Sequence, residues 1–220
     1  MLPSEPNASG SAALAGKLRE LSGFEEELAA RWAPNAARAA NEALASCLTP
    51  PGQDPGERRD IVRALPVVDR DLLLLELRRR SVGDEVRSEV DCPACGSSSE
   101  LVFRLSELPS NTQRAVAVEV DLPEGGRVLL RPVTAGDQEL LLDQGGGSLA
   151  DVLALLATTP DGEALSRDEI AALGEQARTK LAEALDRANP DLDIRLSLRC
   201  HACSRELETP LDVEGFFLPN

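Results

Sequence analysis

The sequence predicts an α+β fold, and three observations predict it. Two short cysteine pairs, Cys92-Pro-Ala-Cys95-Gly96 and Cys200-His-Ala-Cys203-Ser204, lie far apart in the chain. A period-2 pattern leads into each pair. Val86, Ser88 and Val90 alternate with Arg87 and Glu89, and Ile194, Leu196 and Leu198 alternate with Arg195, Ser197 and Arg199. The segments before the first pair and between the pairs carry apolar residues at helical spacing, with capping and breaking signals at their ends. Each cysteine pair therefore falls at the tip of a β-hairpin, with Leu101–Leu105 and Arg205–Thr209 as the outgoing arms.

A C-x-x-C turn brings two thiolates to one side of a tight loop. Two such turns face to face offer four sulfurs at the corners of a tetrahedron, the donor set of a closed structural zinc site. Cys92, Cys95, Cys200 and Cys203 are the candidate metal ligands, and Zn²⁺ is the expected cofactor. Gly96 suits a backbone that must turn back at positive φ. Ordinary zinc ribbons separate their pairs by about fifteen to twenty residues. Here the gap runs from Gly96 to Arg199, so the ribbon is split and a subdomain is inserted between its halves. A thioredoxin-like motif needs one pair beside a βαβ unit, and haem attachment needs a histidine after the second cysteine; neither pattern is present. Disulfides need an oxidising compartment, and no basic n-region leads into an apolar h-region here, so reduced thiols and a cytoplasmic setting are expected. His201, inside the second knuckle, reads as a bystander beside four thiols. Cys47 reads as a buried apolar residue of a helix.

With 220 residues and 42% hydrophobic content the chain can bury a core. Aromatics make up 2%, so that core must be built from Leu, Val and Ala. The net charge of −15 opposes binding to phosphate backbones, and only Phe103 could stack on a base from the ribbon strands;. No apolar run approaches the length of a membrane span.

In chain order, residues 1–13 are small and polar and read as a disordered arm. A helical pattern runs from Leu14 to about Trp32, with Ser22-Gly-Phe-Glu25 as a capping box that starts a second helix. Asn35 to Leu48 is an Ala-rich helix, and Thr49 to Gly56, rich in Pro and Gly, is a loop. Asp69 is expected to cap a helix over Arg70–Arg80. Its Arg78-Arg79-Arg80 end is read as charge suited to the helix dipole, ahead of a basic binding patch. In the insertion, Val116–Leu122 and Arg127–Val133 form a hairpin around Gly125-Gly126. Thr134 with Asp137 caps a helix to Leu142, Gln144–Ser148 is a break, and Ser148–Ala157 is a helix. Ser166 with Glu169 opens one long helix to about Ala188. The Gly145–Gly147 triplet lacks the Gly-Lys-Ser/Thr of a phosphate loop. No nucleophile–base pair is available with one histidine, and four thiolates would close the zinc, so no catalytic residue is proposed and no enzyme is expected.

Several segments together resemble the T-even-type phage baseplate protein family, which also occurs in phage-tail-like contractile injection systems. They are Asp69-Arg-Asp-Leu-Leu-Leu-Leu-Glu-Leu-Arg78, Val82-Gly-Asp-Glu85, Cys92-Pro-Ala-Cys-Gly96, Ala188 through Cys203, and Pro210-Leu-Asp-Val-Glu-Gly-Phe216. The order of parts agrees from about Leu18 to Phe217. Cys200-His-Ala-Cys203-Ser204 departs from the more usual Cys-Pro-x-Cys-Gly. The resemblance implies a non-enzymatic structural or assembly component of a contractile-tail baseplate, with other baseplate or tail proteins as partners and neither nucleic acid nor membrane. The alternative is a zinc-ribbon regulatory or nucleic-acid-binding module. The expected division is an arm (1–13), an N-terminal helical region (14–83), a split ribbon (84–108 and 191–214), an inserted subdomain (109–190) and a tail (215–220). Contact surfaces are expected on the N-terminal helices, including the Leu72–Leu77 helix, and on the tail Val213–Leu218, whose Phe216-Phe217 either plugs the ribbon or meets a partner.

Overall fold

In the computed structural model, residues 13–32, 34–49, 54–108, 115–123, 125–190, 192, 194–211 and 213 are described. The N-terminal arm, the middle of the Pro-rich loop and the Phe216-Phe217 tail lie outside these residues. The architecture is mixed α+β, with helices and three small antiparallel sheets. No described helix is long and apolar enough to cross a membrane.

Helices α1 (Gly23–Arg31), α2 (Ala36–Cys47), α3 (Pro55–Arg63) and α4 (Val67–Val82) form the N-terminal layer. Asn35 caps α2 by accepting from the Arg38 amide, as its residue type favours;. Because α2 is rich in alanine, its neighbours approach closely. Ala40, Ala43, Leu44 and Cys47 of α2 pack with Val62, Leu65, Leu73, Leu74 and Leu77 in one buried cluster. Cys47 is fully buried there, and burial pushes its thiol up to about 11, so it behaves as the small hydrophobe expected;.

Some boundaries differ from the sequence reading. The helix expected to start at Ser22 does so, with Glu25 accepting from Ser22 N and Oγ. Ahead of it the chain turns at Gly16 and Lys17 and then extends to Ser22, where the expected pattern was helical, and Leu18 forms an antiparallel bridge with Leu48. Backbone bonds at Lys17 and Arg19 supply that segment's partners instead of helix. Pro55 and Gly56 are helical, since proline at the first helical position loses no hydrogen bond;. Helix α4 begins at Val67 after Pro66, which places Asp69 in the first turn, where its charge suits the dipole, and not at the cap;.

A hairpin follows, β1 (Glu85–Asp91) with β2 (Ser98–Arg104). Asp84 clamps its base: the Asp84 carbonyl accepts from Leu105 N at 2.9 Å and its carboxylate from Ser106 N and Oγ at 2.8 and 2.6 Å. The insertion contains β3 (Val118–Asp121) and β4 (Arg127–Leu130), joined through Gly125 and Gly126, both at positive φ;. Helices α5 (Ala135–Asp143) and α6 (Leu149–Leu156) follow, each with the complete capping box, from Thr134–Asp137 and Ser148–Asp151. Ala157–Thr158 leaves α6 to add a third short strand, β5, against β4. The expected long helix is two, α7 (Arg167–Ala172) and α8 (Glu175–Ala188), because Leu173 is extended and Gly174 becomes the cap of α8. Ile170, Ala177 and Leu181 are nevertheless buried, Ile170 and Leu181 in one cluster with Val120, Val128, Leu130, Leu153 and Leu156. The chain ends in the hairpin β6 (Arg195–Arg199) with β7 (Glu206–Pro210). Beyond it, Val213 is buried in the N-terminal cluster.

The insertion is tied to the N-terminal helices by backbone and buried polar groups. Val67 N donates to Val133 O at 3.2 Å, and Ala135 N to Leu65 O at 2.8 Å. Asn41 donates to Ala135 O and Glu139 Oε1, while Arg63 pairs with Glu139 Oε2 at 3.3 Å. Arg70, wholly buried, donates to Asn41 Oδ1 and Gln138 Oε1. Satisfied polar groups of this kind fix a single docking register.

Glu25 is a further buried charge. Its carboxylate accepts from Arg19 Nη2 (2.6 Å), Ser46 Oγ (2.6 Å), Ser22 Oγ (2.7 Å) and Ser22 N (2.9 Å). Burial alone would raise its pKa, but Arg19, Ser46 and Ser22 outweigh burial and hold it at about 2, below the ordinary 4.5. A depressed carboxylate contributes stability that is full above the unfolded pKa and lost as pH falls toward the folded one. We predict that stability declines between about pH 5 and pH 2. Glu25→Gln should remove on the order of 2–3 kcal/mol at pH 7 and flatten that decline, after discount for the part-exposed Arg19. Urea unfolding at a series of pH values measures both; a wild-type acid profile in the variant would contradict the assignment.

Candidate metal centre

The two hairpins end in knuckles of the same construction. The last paired residues are Asp91↔Ser98 and Arg199↔Glu206, so loops of equal length, 92–97 and 200–205, close the two tips. In the first, Cys92 N donates to Ser97 O (3.0 Å) and Gly96 N to Cys92 O (2.8 Å). In the second, Cys200 N donates to Arg205 O (2.8 Å) and Ser204 N to Cys200 O (2.9 Å). The residue after each pair needs the left-handed region: Gly96 has φ 70° and Ser204 φ 60°. Gly96 adopts it freely, whereas Ser204 is the one non-glycine at positive φ among the described residues;.

The tips meet. Cys92 Sγ is 3.7 Å from Cys203 Sγ, and Cys95 Sγ is 3.7 Å from Cys200 Sγ. All four sulfurs lie within 4.8 Å of one another. The first cysteine of each knuckle is buried and the second exposed. Val90, Leu198 and Leu207 pack around Cys92 and Cys200. A tetrahedral zinc with Zn–S bonds of about 2.3 Å requires sulfurs about 3.8 Å apart, so the cluster is close to the size that such an ion needs.

The electrostatics also fit a cation. The amides of Cys203 and Ala202 hold the Cys200 thiol down at about 6. Ser97 lowers that of Cys95. The Arg205 amide pulls on Cys203 in the same sense, but desolvation and the neighbouring thiols outweigh it and push Cys203 up to about 11. Four sulfurs this close cannot all ionise without a positive charge among them. The arrangement can therefore hold a metal ion through Cys92, Cys95, Cys200 and Cys203.

His201 is not among the clustered donors. Its Nδ1 lies 3.1 Å from Ser99 Oγ, across the junction on β2. Ser97 and Ser99 are the residues near the site that sequence reasoning missed. Nothing in a Ser-rich stretch after a cysteine pair says which hydroxyl will face the opposite hairpin. The other surfaces named from sequence fare differently. Leu73, Leu74 and Leu77 of the Leu72–Leu77 helix are buried, because α4 supplies the seam of the N-terminal core and cannot offer those side chains to a partner. Arg79 and Arg80 both pair with Glu76, at 2.9 and 2.7 Å, which accounts for two residues of the arginine run as intrahelical ion pairing;. Phe103 is half-buried opposite Val86. Phe24, in the helix that Ser22 starts, is 60% exposed.

Residues 24–117, a little under half of the chain, match the family model described as T4 bacteriophage base plate protein. The match spans α1 to α4 and the first knuckle and stops before β3. It supports the T4-type phage baseplate protein family. No curated protein and no solved structure matches the chain.

The backbone at the two knuckle ends yields a paired prediction. Ser204→Gly should raise stability by about 0.5–1 kcal/mol, the left-handed penalty of a side chain less the extra freedom of glycine in the unfolded chain. Gly96→Ala should lower it by about 1 kcal/mol, although no atom lies within 4 Å of the added Cβ;. Thermal melts of the two variants test this, and a destabilised Ser204→Gly would contradict the strain at that position.

Proposed function

We propose, on the premise of a T4-type phage baseplate protein, that the chain is a non-enzymatic structural or assembly component of the baseplate of a contractile tail or injection system. We further propose that Cys92, Cys95, Cys200 and Cys203 hold one structural Zn²⁺ as a split zinc ribbon. The observation that supports the metal is the convergence of four sulfurs from two knuckles of equal length. When bound, such an ion supplies positive charge and four fixed directions.

The rest of the site does mechanical work. β1–β2 and β6–β7 hold the cysteines at their tips, the Asp84–Ser106 clamp closes the base of the first hairpin, and Val213, beyond the second, is buried in the N-terminal core. Four thiolates complete the coordination of zinc and leave no position for substrate water. The one histidine is engaged with Ser99. The expected partners are other baseplate or tail proteins. Nucleic acid is disfavoured as a partner by the −15 charge and the 2% aromatic content;. The division into helical region, split ribbon and insertion is part of the same reading, with the ribbon as the joint.

Protein purified without added metal should carry one zinc per chain. Cys200→Ser should lower that content, and His201→Ala should leave it unchanged. A metal-free, fully folded protein would sink the metal assignment. Deleting the gene from its native cluster tests the baseplate role. Loss of assembled contractile particles is expected, and normal particles would overturn it.

A further inference from the structure

The four sulfurs are not equivalent. Cys92 and Cys200, the first of each pair, are 2% and 1% exposed, whereas Cys95 and Cys203 are open to solvent. Each exposed sulfur lies 3.7 Å from a buried sulfur of the opposite hairpin: Cys203 from Cys92, and Cys95 from Cys200. Both of these contacts cross the junction. Neighbouring side chains hold the tips in that relation. Val90 of β1, Leu198 of β6 and Leu207 of β7 pack around the two buried cysteines. Ser99 of β2, itself 6% exposed, places its Oγ 3.1 Å from Nδ1 of His201 in the other knuckle. The tips therefore have attachments besides the four sulfurs.

Thiols so placed suit two-electron oxidation by hydrogen peroxide. The sulfur of Cys95 or Cys203, reachable from solvent, attacks one peroxide oxygen. An S–O bond forms, the O–O bond breaks, and the second oxygen leaves as water with the thiol's proton. The buried sulfur 3.7 Å away then displaces the new hydroxyl, which leaves as water with the second proton as the S–S bond closes;. Each disulfide oxidises two thiols and reduces one peroxide; thiolates held by a cation release hydroxide in place of water. Closing 3.7 Å to a covalent bond of about 2.05 Å moves each sulfur by under about 1 Å;.

We infer that the cysteine cluster is a peroxide-sensitive joint that closes as two crossed disulfides, Cys92–Cys203 and Cys95–Cys200, so that the hairpins stay tied once the donors for a metal are gone. The direction of pairing sets the consequence. A disulfide within one C-x-x-C takes both donors from one hairpin and leaves the tips unlinked. A crossed disulfide takes one donor from each hairpin and puts a covalent tie between positions 111 or 105 residues apart. The accompanying release of Zn²⁺ rests on the zinc reading proposed above; the pairing of the sulfurs does not.

The test uses the full chain as purified, treated with hydrogen peroxide at one equivalent per chain and then in excess. Remaining thiols are alkylated, the chain is digested with trypsin without reduction, and the peptides are mapped by mass spectrometry. Cleavage after Arg87, Arg104, Arg199 and Arg205 leaves Cys92 and Cys95 in one peptide (88–104) and Cys200 and Cys203 in another (200–205). The expected product is these two peptides joined. After one equivalent, the alkylated residues should be Cys95 with Cys200, or Cys92 with Cys203. Dimedone, which traps the S–OH form, should label Cys95 and Cys203 at least tenfold more than Cys92 and Cys200. The hairpin amides of the oxidised protein should keep their protection from hydrogen exchange in a strong chelator. Separate peptides with internal disulfides, alkylated Cys95 with Cys203, joining seen only in a disulfide-linked dimer, dimedone on the buried pair, or unprotected hairpins in the oxidised protein would each overturn the proposal. A zinc-binding dye in the same samples should report one zinc released per two peroxides consumed. Protein that starts without zinc and still gives the crossed product would refute the zinc reading alone.

Discussion

The structure depends on a junction between two hairpins that could not stand alone. A two-stranded hairpin is marginal in water, and the junction of the β1–β2 and β6–β7 tips covers few apolar side chains: Cys92, Cys200, Leu207 and the half-covered Val90 and Leu198;. What fixes their tips is the meeting of four sulfurs from positions more than a hundred residues apart, 105 for Cys95 and Cys200. On the proposed reading, a zinc there closes a very long loop, and the entropy of closing that loop would have to be met by metal–thiolate bonding. The value of the joint is that it fixes both ends of the insertion. Residues between the knuckles leave from β2 and return at β6, so whatever the insertion presents is carried on an anchored frame.

That frame has a second anchor. The contact between α5 and the N-terminal helices is made through Asn35, Asn41, Arg63, Arg70, Gln138 and Glu139, and not through apolar packing alone. Buried polar groups of this sort add less to stability than to uniqueness, because a shifted register would leave several of them unsatisfied. The return of Val213 into the same helical core closes the arrangement from the C-terminal side.

Much of this was legible in the sequence. The cysteine spacing with alternating flanks pointed to two knuckle hairpins, and the Thr134–Asp137 and Ser166–Glu169 boxes marked helix starts because their chemistry is local. The breaks were less visible. Leu173-Gly174 interrupts a pattern of buried residues that continues unchanged through Ile170, Ala177 and Leu181, so the periodicity hid the kink. The extended Lys17–Arg19 segment is set by backbone pairing to the end of α2, a long-range contact with no local signature. The same is true of His201 and Ser99: each is an ordinary polar residue until the hairpins meet. The family resemblance, read over most of the chain, is matched over residues 24–117, which contain only one half of the cysteine cluster.

On the proposed reading, the two hairpins are one unit held by a metal at their tips. Amide hydrogen exchange of the purified protein, followed with and without a strong chelator, tests it most directly. The account predicts that β1–β2 and β6–β7 lose protection together and to the same extent when the metal is removed, while α2 and α4 keep theirs. Unchanged protection in both hairpins after chelation, or loss in one hairpin alone, would contradict it.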